Sequence, residues 1–169
     1  AVVNLQGDEP ELNPDVITGL VHELKSSNCQ MATVAAPMTS PAMVRDPSCV
    51  KVVTDVNGRA MYFSRSPIPF SREQSIESWF ESDEPTPWML HVGLYAYRRD
   101  FLLKLTSMPP SPLEQLEKLE QLRALQCGAS IAVSVIHHAA AGIGTPEDYA
   151  AFVQRHSHNH RQQKLRRAA

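Results

Sequence analysis

Cysteine is scarce in this 169-residue chain: Cys29, Cys49 and Cys127 are odd in number, far apart and never spaced C-x-x-C. That argues against a disulfide framework and against a thiolate zinc site, and makes a reducing cytoplasm the expected setting. No run of about 18 apolar residues occurs, so no helical membrane span is expected, and the first residues do not follow the charged-then-apolar order of a secretory signal. Acidic residues stop at Asp148: residues 1–154 hold 18 acids against 11 bases, and residues 155–169 hold five bases and no acid, within a net charge of −2. This basic end carries His156, His158 and His160 but no aromatic ring on which a base could stack. It reads as a solvated helix end rather than a nucleic-acid or metal-binding tract, so neither nucleic acid nor membrane is expected as a partner. An initiator Met is absent as well. Ala1-Val2-Val3-Asn4-Leu5 reads at once as a buried strand, from which the chain is expected to start part-way through a fold.

What is present is 43% hydrophobic residues, enough for a packed core in one soluble domain. After the first strand, Asn13-Pro14 provides a helix cap with Pro at the first helical position, and Val16, Ile17, Leu20, Val21 and Leu24 recur at helical spacing. Met31 to Pro37 is a second strand. Val50 to Asp55 and Ala60 to Ser64 flank Asn57-Gly58 and read as a hairpin. Arg65 to Pro87, rich in Pro, Ser and Glu, is expected to make an excursion from the sheet before a strand from Trp88 to Tyr97. Ser111-Pro112-Leu113-Glu114 is a capping box, and Leu113, Leu116, Leu119, Leu122 and Leu125 predict one helix running to Gly128. Ile131 to Ile136 is a further strand, and Thr145-Pro146-Glu147-Asp148 caps a last helix. Alternating strands and helices predict an α/β fold with a mainly parallel sheet.

Ligands of open α/β sheets lie beyond the carboxyl ends of strands, and Gln6-Gly7-Asp8-Glu9-Pro10 follows the first strand directly. Asp8 is therefore a candidate magnesium ligand, a hard oxygen anion beside a Gly that lets phosphate approach; an Asx turn ending the strand explains the same residues equally well. His91 and Tyr95 stand four apart on a strand and share a face. A core histidine bonded to a carbonyl is the simpler account of His91.

Six motifs in order carry a resemblance. They are Gln6-Gly7-Asp8-Glu9-Pro10, Val50 to Val53, Tyr62-Phe63-Ser64-Arg65-Ser66-Pro67-Ile68-Pro69, His91 to Arg98, Ser111 to Glu114 with Glu120-Gln121-Leu122-Arg123, and Thr145 to Asp148. Together, from Val2 to about Phe152, they resemble the 3-deoxy-manno-octulosonate cytidylyltransferases, the CMP-Kdo synthetases of lipopolysaccharide assembly. The resemblance implies a Rossmann-like nucleotidyltransferase fold with helices on both faces, and Mg2+-dependent transfer of CMP from CTP to the anomeric hydroxyl of the sugar acid Kdo, with release of pyrophosphate. It implies Asp8 as the first metal ligand, and Gln6 and Gly7 against nucleotide or sugar. It further implies Arg65 on the Kdo carboxylate, whose two oxygens suit a guanidinium fork, His91 and Tyr95 lining the sugar pocket, and Glu120 and Gln121 bonding Kdo hydroxyls. Lys51 either binds an anion or caps the sheet. By the resemblance, residues 65–88 correspond to a dimerisation region of a homodimer, with Trp79, Phe80 and Trp88 as candidate anchors, although a monomer could bury them as well.

Two departures stand out. No Gly-, Ser- and Lys-rich phosphate loop precedes Ala1, so the first βα units are expected to be missing and the chain to catalyse poorly by itself. The family's second metal-binding Asp falls on Gly144, with Glu147 and Asp148 as substitutes only if their place in a first helical turn has a purpose beyond helix electrostatics. Rival readings are a cytidylyltransferase for another sugar acid, such as sialic acid or amino-Kdo, and a non-catalytic sugar-acid-binding or dimerising remnant. The expected division is a partial cytidylyltransferase domain over 1–154 and a basic tail over 155–169.

Overall fold

The computed structural model describes residues 1–7, 11–137, 139, 142–143, 145–147 and 149–154. They fall into two compact units. The first comprises Ala1–Leu5 with Asn13–Ala139, the second Gln6–Leu12 with Ala140–Ala169.

In the first unit, β1 (Val2–Leu5) is followed by α1 (Pro14–Ser26), β2 (Met31–Pro37) and α2 (Pro41–Arg45). Next come the hairpin β3 (Lys51–Thr54) and β4 (Ala60–Ser64), then α3 (Ile76–Glu81), β5 (Met89–Tyr97) and α4 (Arg99–Ser107). The chain continues through α5 (Pro112–Glu117), α6 (Gln121–Gln126) and β6 (Ile131–Val135). The Asn13 side chain caps α1 by accepting the Asp15 N–H at 2.9 Å, as the Asn-Pro pair predicts. Ser111 and Glu114 close the expected capping box on α5. Gly58 takes φ +72° in the hairpin turn and Gly128 φ +82° behind α6, both in the left-handed region where a Cβ is costly.

The strands form one sheet in the order β4-β3-β5-β2-β6, with β1 paired to β5. The expected α/β architecture is present, but the sheet is mixed rather than mainly parallel. Among the described strand pairs only β2–β6 is parallel; β5 runs antiparallel to β1, β2 and β3. Strand direction depends on pairings such as Thr33 with Tyr95, far apart in sequence, which hydrophobic period does not record. β1 also differs from the buried strand expected. It lies antiparallel on β5, and Val2 and Leu5 remain 39% and 49% exposed.

Helices cover both faces of the sheet. α1 packs across β2, β5 and β6. From α6 and the residue preceding it, Leu119, Leu122 and Ala124 meet Met31 and Ala35 of β2, Phe63 of β4, Tyr95 and Tyr97 of β5 and Ile131 and Val133 of β6. Met31 and Ala35 point one way from β2 while Ala32 and Val34 point the other, and all four are fully buried, as expected of a strand sandwiched between layers. The hairpin tip reaches the far strand, where Gly58 O accepts the Val133 N–H at 2.8 Å.

The excursion leaves the sheet as α3 and packs on itself. Trp88 is buried beneath Trp79 and Phe80, with ring centroids 6.3 and 6.1 Å away, and its indole N–H donates to Pro69 O at 3.0 Å. Trp88 is therefore a core residue and not a free anchor; the large apolar side chain left outside is Phe70, 85% exposed. Besides α3, two short helices go beyond the sequence expectation. α2 begins at Ser40-Pro41, and α4 has Phe101, Leu102 and Leu105 at helical spacing.

In the second unit, residues 146–154 are helical where described, and the Tyr149 N–H bonds Thr145 O at 3.1 Å, consistent with a helix starting at Thr-Pro-Glu.

The Arg123 guanidinium pairs with the Glu114 carboxylate and donates to Leu105 O and Met108 O at 3.3 and 3.1 Å, tying α4, α5 and α6 together with only 20% and 12% of the two side chains exposed. Arg123→Ala strands a largely buried carboxylate and two carbonyls and is expected to lower unfolding free energy by about 2–4 kcal/mol. Urea denaturation checks this, and a change below about 0.5 kcal/mol contradicts it.

Candidate functional site

The five leucines from Leu113 to Leu125 recur every third residue, and on a helix of 3.6 residues per turn each step drifts about 60° around the axis. One straight helix cannot bury all of them. The chain resolves this by ending α5 at Glu117, turning through Lys118 at φ 55° and ψ 47°, and restarting at Gln121. Leu119 and Leu122 are buried by this break and Leu116 is left 80% exposed, so the single helix predicted over 112–126 is two.

Arg65 and Glu117 hold the break in place. The Glu117 carboxylate accepts the Ser64 hydroxyl at 2.7 Å and the Arg65 N–H at 3.0 Å. In return the Arg65 guanidinium donates to Glu117 O at 2.8 Å, to Lys118 O at 3.5 Å and to Pro47 O at 2.8 Å. These bonds satisfy carbonyls that the end of α5 leaves open. Lys51, fully buried, donates from Nζ to Asp46 O and Arg65 O at 2.7 and 2.9 Å, and burial lowers its pKa. Of the two readings open for Lys51, the structure favours the structural one.

Glu120 and Gln121 follow the break. Glu120 is exposed and near enough to Tyr95 and Tyr97 that its charge adds to burial in raising both phenols, Tyr97 to about 12. Gln121 is 1% exposed, and neither its Oε1 nor its Nε2 has a hydrogen-bond partner among the described residues. Leaving both ends of a buried amide unpaired costs about 1–3 kcal/mol per group, so a partner supplied from outside, water or ligand, stabilises the residue.

His91 and Tyr95 share a face, as strand alternation predicts, with ring centroids 5.3 Å apart. The Phe63 ring meets His91 edge-on at 5.0 Å. Burial lowers the His91 pKa to about 3, so the imidazole is neutral at physiological pH. Its Nε2 lies 3.0 Å from the Thr33 hydroxyl, which in turn donates to Leu94 O at 2.8 Å. The partner is thus a hydroxyl rather than the carbonyl that a simple core histidine was expected to find.

The remaining candidates belong to the second unit. Gln6 is half-buried, and Gly7 is exposed with nothing within 4 Å of where a Cβ would stand, so the backbone there is open to close approach. Asp8, Gly144 and Asp148 lie outside the described residues. Among the described residues no three His, Cys, Asp or Glu side chains group as a metal site. A cavity of about 350 Å3 beside Phe70, Trp79 and Trp88 is lined by none of the residues expected to meet substrate or metal. Thr33 and Glu117 were missed from sequence: one sits in an apolar run, the other on the polar face of a leucine-rich helix.

Against this geometry stand the known proteins. The family model described as cytidylyltransferase matches residues 1–131. The 3-deoxy-manno-octulosonate cytidylyltransferase of Syntrophotalea carbinolica is 46% identical over 148 residues, covering 87% of this chain and 59% of its own length. That of Rhodopirellula baltica is 42% identical over 155 residues, covering 91% and 62%. A solved structure of CMP:2-keto-3-deoxy-manno-octonic acid synthetase complexed with CTP superposes with a TM-score of 0.81 at 34% identity, covering 93% of this chain and 61% of that one. The chain spans about three fifths of the length of the proteins it matches.

Gln121→Met keeps the volume and removes both unpaired groups, and is expected to raise unfolding free energy by about 1 kcal/mol or more in the unliganded protein. A lower melting temperature than wild type contradicts the reading of Gln121 as an unsatisfied group. His91 has a folded pKa of about 3 against an ordinary 6.5, so the stability it contributes is complete above pH 6.5 and is lost as pH falls toward 3. Denaturation from pH 7 to 4 should show wild type losing more stability than His91→Phe, and equal losses contradict it.

Proposed function

Because the chain belongs to the cytidylyltransferase family, we propose that the protein transfers CMP from CTP to 3-deoxy-manno-octulosonate, giving CMP-Kdo and pyrophosphate for lipopolysaccharide synthesis. The observation that carries the choice of a polyhydroxylated acceptor is the buried Gln121 amide, with donor and acceptor both unpaired. A sugar hydroxyl donates and accepts through one oxygen, so adjacent hydroxyls satisfy Oε1 and Nε2 together. The exposed Glu120 carboxylate accepts from further hydroxyls, and neutral His91 adds no charge that would compete for the acid group. Tyr95 walls the site beside His91. Arg65 offers its remaining N–H groups to the Kdo carboxylate while its other donors hold the α5–α6 turn, so it binds and positions at once.

The reaction forms a bond from the anomeric oxygen of Kdo to the α-phosphorus of CTP and breaks the α–β phosphoanhydride. The hydroxyl proton leaves to solvent and pyrophosphate carries the departing charge. Such chemistry depends on alignment and neutralisation of phosphate charge. A magnesium ion supplies that neutralisation when bound. Asp8 is the residue that would hold it, and one hard carboxylate suits Mg2+, which takes much of its shell from water and substrate phosphate. Gln6 and Gly7 border the nucleotide or the sugar. Gly144 offers no side-chain oxygen, and that one residue favours a second reading, a sugar-acid-binding protein that does not catalyse. A homodimer through the 65–88 excursion is part of the proposal, supported by exposed Phe70. No described helix is long and apolar enough to cross a membrane, and a cytoplasmic site of action is proposed with the substrates.

Calorimetry with Kdo and a pyrophosphate-release assay with CTP, Kdo and Mg2+ test these points on the protein and two variants. Gln121→Met is expected to weaken Kdo binding about tenfold or more. Asp8→Asn is expected to abolish Mg2+-dependent release without changing Kdo affinity. Unaltered Kdo binding by Gln121→Met contradicts the sugar site, and Kdo binding without any pyrophosphate release selects the non-catalytic reading.

A further inference from the structure

We infer that Thr33 is the positioning residue that fixes His91 as its Nε2–H tautomer, leaving Nδ1 as a bare acceptor for a hydroxyl of the bound sugar acid rather than a partner for its carboxylate. The inference rests on the proposed sugar site only for the identity of the ligand.

Thr33 is fully buried on β2, opposite Tyr95, at the point where the β2–β5 register shifts. The shift brings two β5 carbonyls to one hydroxyl: Thr33 Oγ1 lies 2.8 Å from Leu94 O and 3.4 Å from Val92 O. A carbonyl oxygen only accepts, and two oxygens 2.8 Å apart require a proton between them. The single hydroxyl proton is therefore spent on Leu94 O. His91 Nε2, 3.0 Å from the same Oγ1, must donate to it.

A neutral imidazole has one ring proton, and here it is on Nε2. Burial holds the ring in the neutral form. Nδ1 then carries a lone pair, with no hydrogen-bond partner among the described residues. The Phe63 and Tyr95 rings beside it restrict how the imidazole can turn. A lone pair of this kind accepts from a hydroxyl and repels a carboxylate. Within the proposed site the division of labour follows: hydroxyls to His91 and Gln121, the acid group to Arg65.

The test uses protein labelled with 15N at histidine, with long-range 1H–15N correlations reading the tautomer of His91, and calorimetry reading Kdo affinity. Wild type and Thr33→Ser are expected to show His91 protonated at Nε2 alone. Thr33→Val is expected to mix the tautomers and to weaken Kdo binding about three- to tenfold, with Thr33→Ser restoring both. A wild-type spectrum with the proton on Nδ1 overturns the inference by itself, whether or not Thr33→Val folds. A changed tautomer in Thr33→Val with unchanged Kdo affinity overturns the hydroxyl contact. If wild type shows the Nε2–H form and binds no Kdo, the sugar reading of the site falls, and the ligand assigned to Nδ1 falls with it.

Discussion

The exchange between Arg65 and Glu117 is the contact on which the rest of the site depends. The guanidinium caps the carbonyls at the end of α5, and the carboxylate closes back on Ser64 and on the Arg65 backbone at the end of β4. Each residue therefore holds the other's main chain, so neither end moves alone. Between them Lys118 is held in the left-handed region, at a cost of about 1–2 kcal/mol for a residue with a Cβ. That local cost is offset by burying Leu119 and Leu122, which a continuous helix would have turned away from the core. The same turn brings Glu120 and Gln121 to the start of α6. The residues proposed to meet the sugar acid are thus placed by the packing of a badly phased leucine repeat.

Satisfied and unsatisfied polar groups divide the first unit into scaffold and site. Lys51 and Arg98 give their donors to backbone carbonyls, Arg98 tying Leu24, Ser27 and Cys29 at the end of α1, and Arg123 divides its donors between the Glu114 carboxylate and two carbonyls. Thr33 spends its proton on Leu94. Against this background, the two empty ends of Gln121 are the exception among the described residues. A buried polar network left partly unpaired destabilises the free protein, and binding a ligand that completes it returns that free energy as affinity.

Much of the scaffold was legible in the sequence because it is local. Asn13-Pro14, Asn57-Gly58, Ser111 to Glu114 and Gly128 each do what their short-range geometry requires. The parallel sheet was misjudged because β5 threads between strands in the opposite direction, and nothing in its own composition records its neighbours. The helix over 112–126 was misjudged because leucine counts as apolar wherever it points; only the phase of the repeat reveals the break. Trp88 looked like an interface anchor from sequence, yet it is the centre of a small aromatic core whose cover, Trp79 and Phe80, comes from the excursion itself. For the site, the six motifs marked Arg65, His91, Tyr95, Glu120 and Gln121 and implied a contact with the sugar acid for each, but not how the fold holds them. That Arg65 also caps a helix, and that His91 answers to Thr33, depends on contacts between residues far apart in the chain.

The broken helix holds Gln121 buried with both ends of its amide unpaired, and the proposed sugar acid would complete it. Following the Gln121 side-chain amide in 1H–15N spectra while Kdo is added tests that most directly. Its two N–H resonances are expected to shift, and their exchange with solvent to slow, as the site fills. Kdo binding that leaves the Gln121 amide unmoved would contradict it.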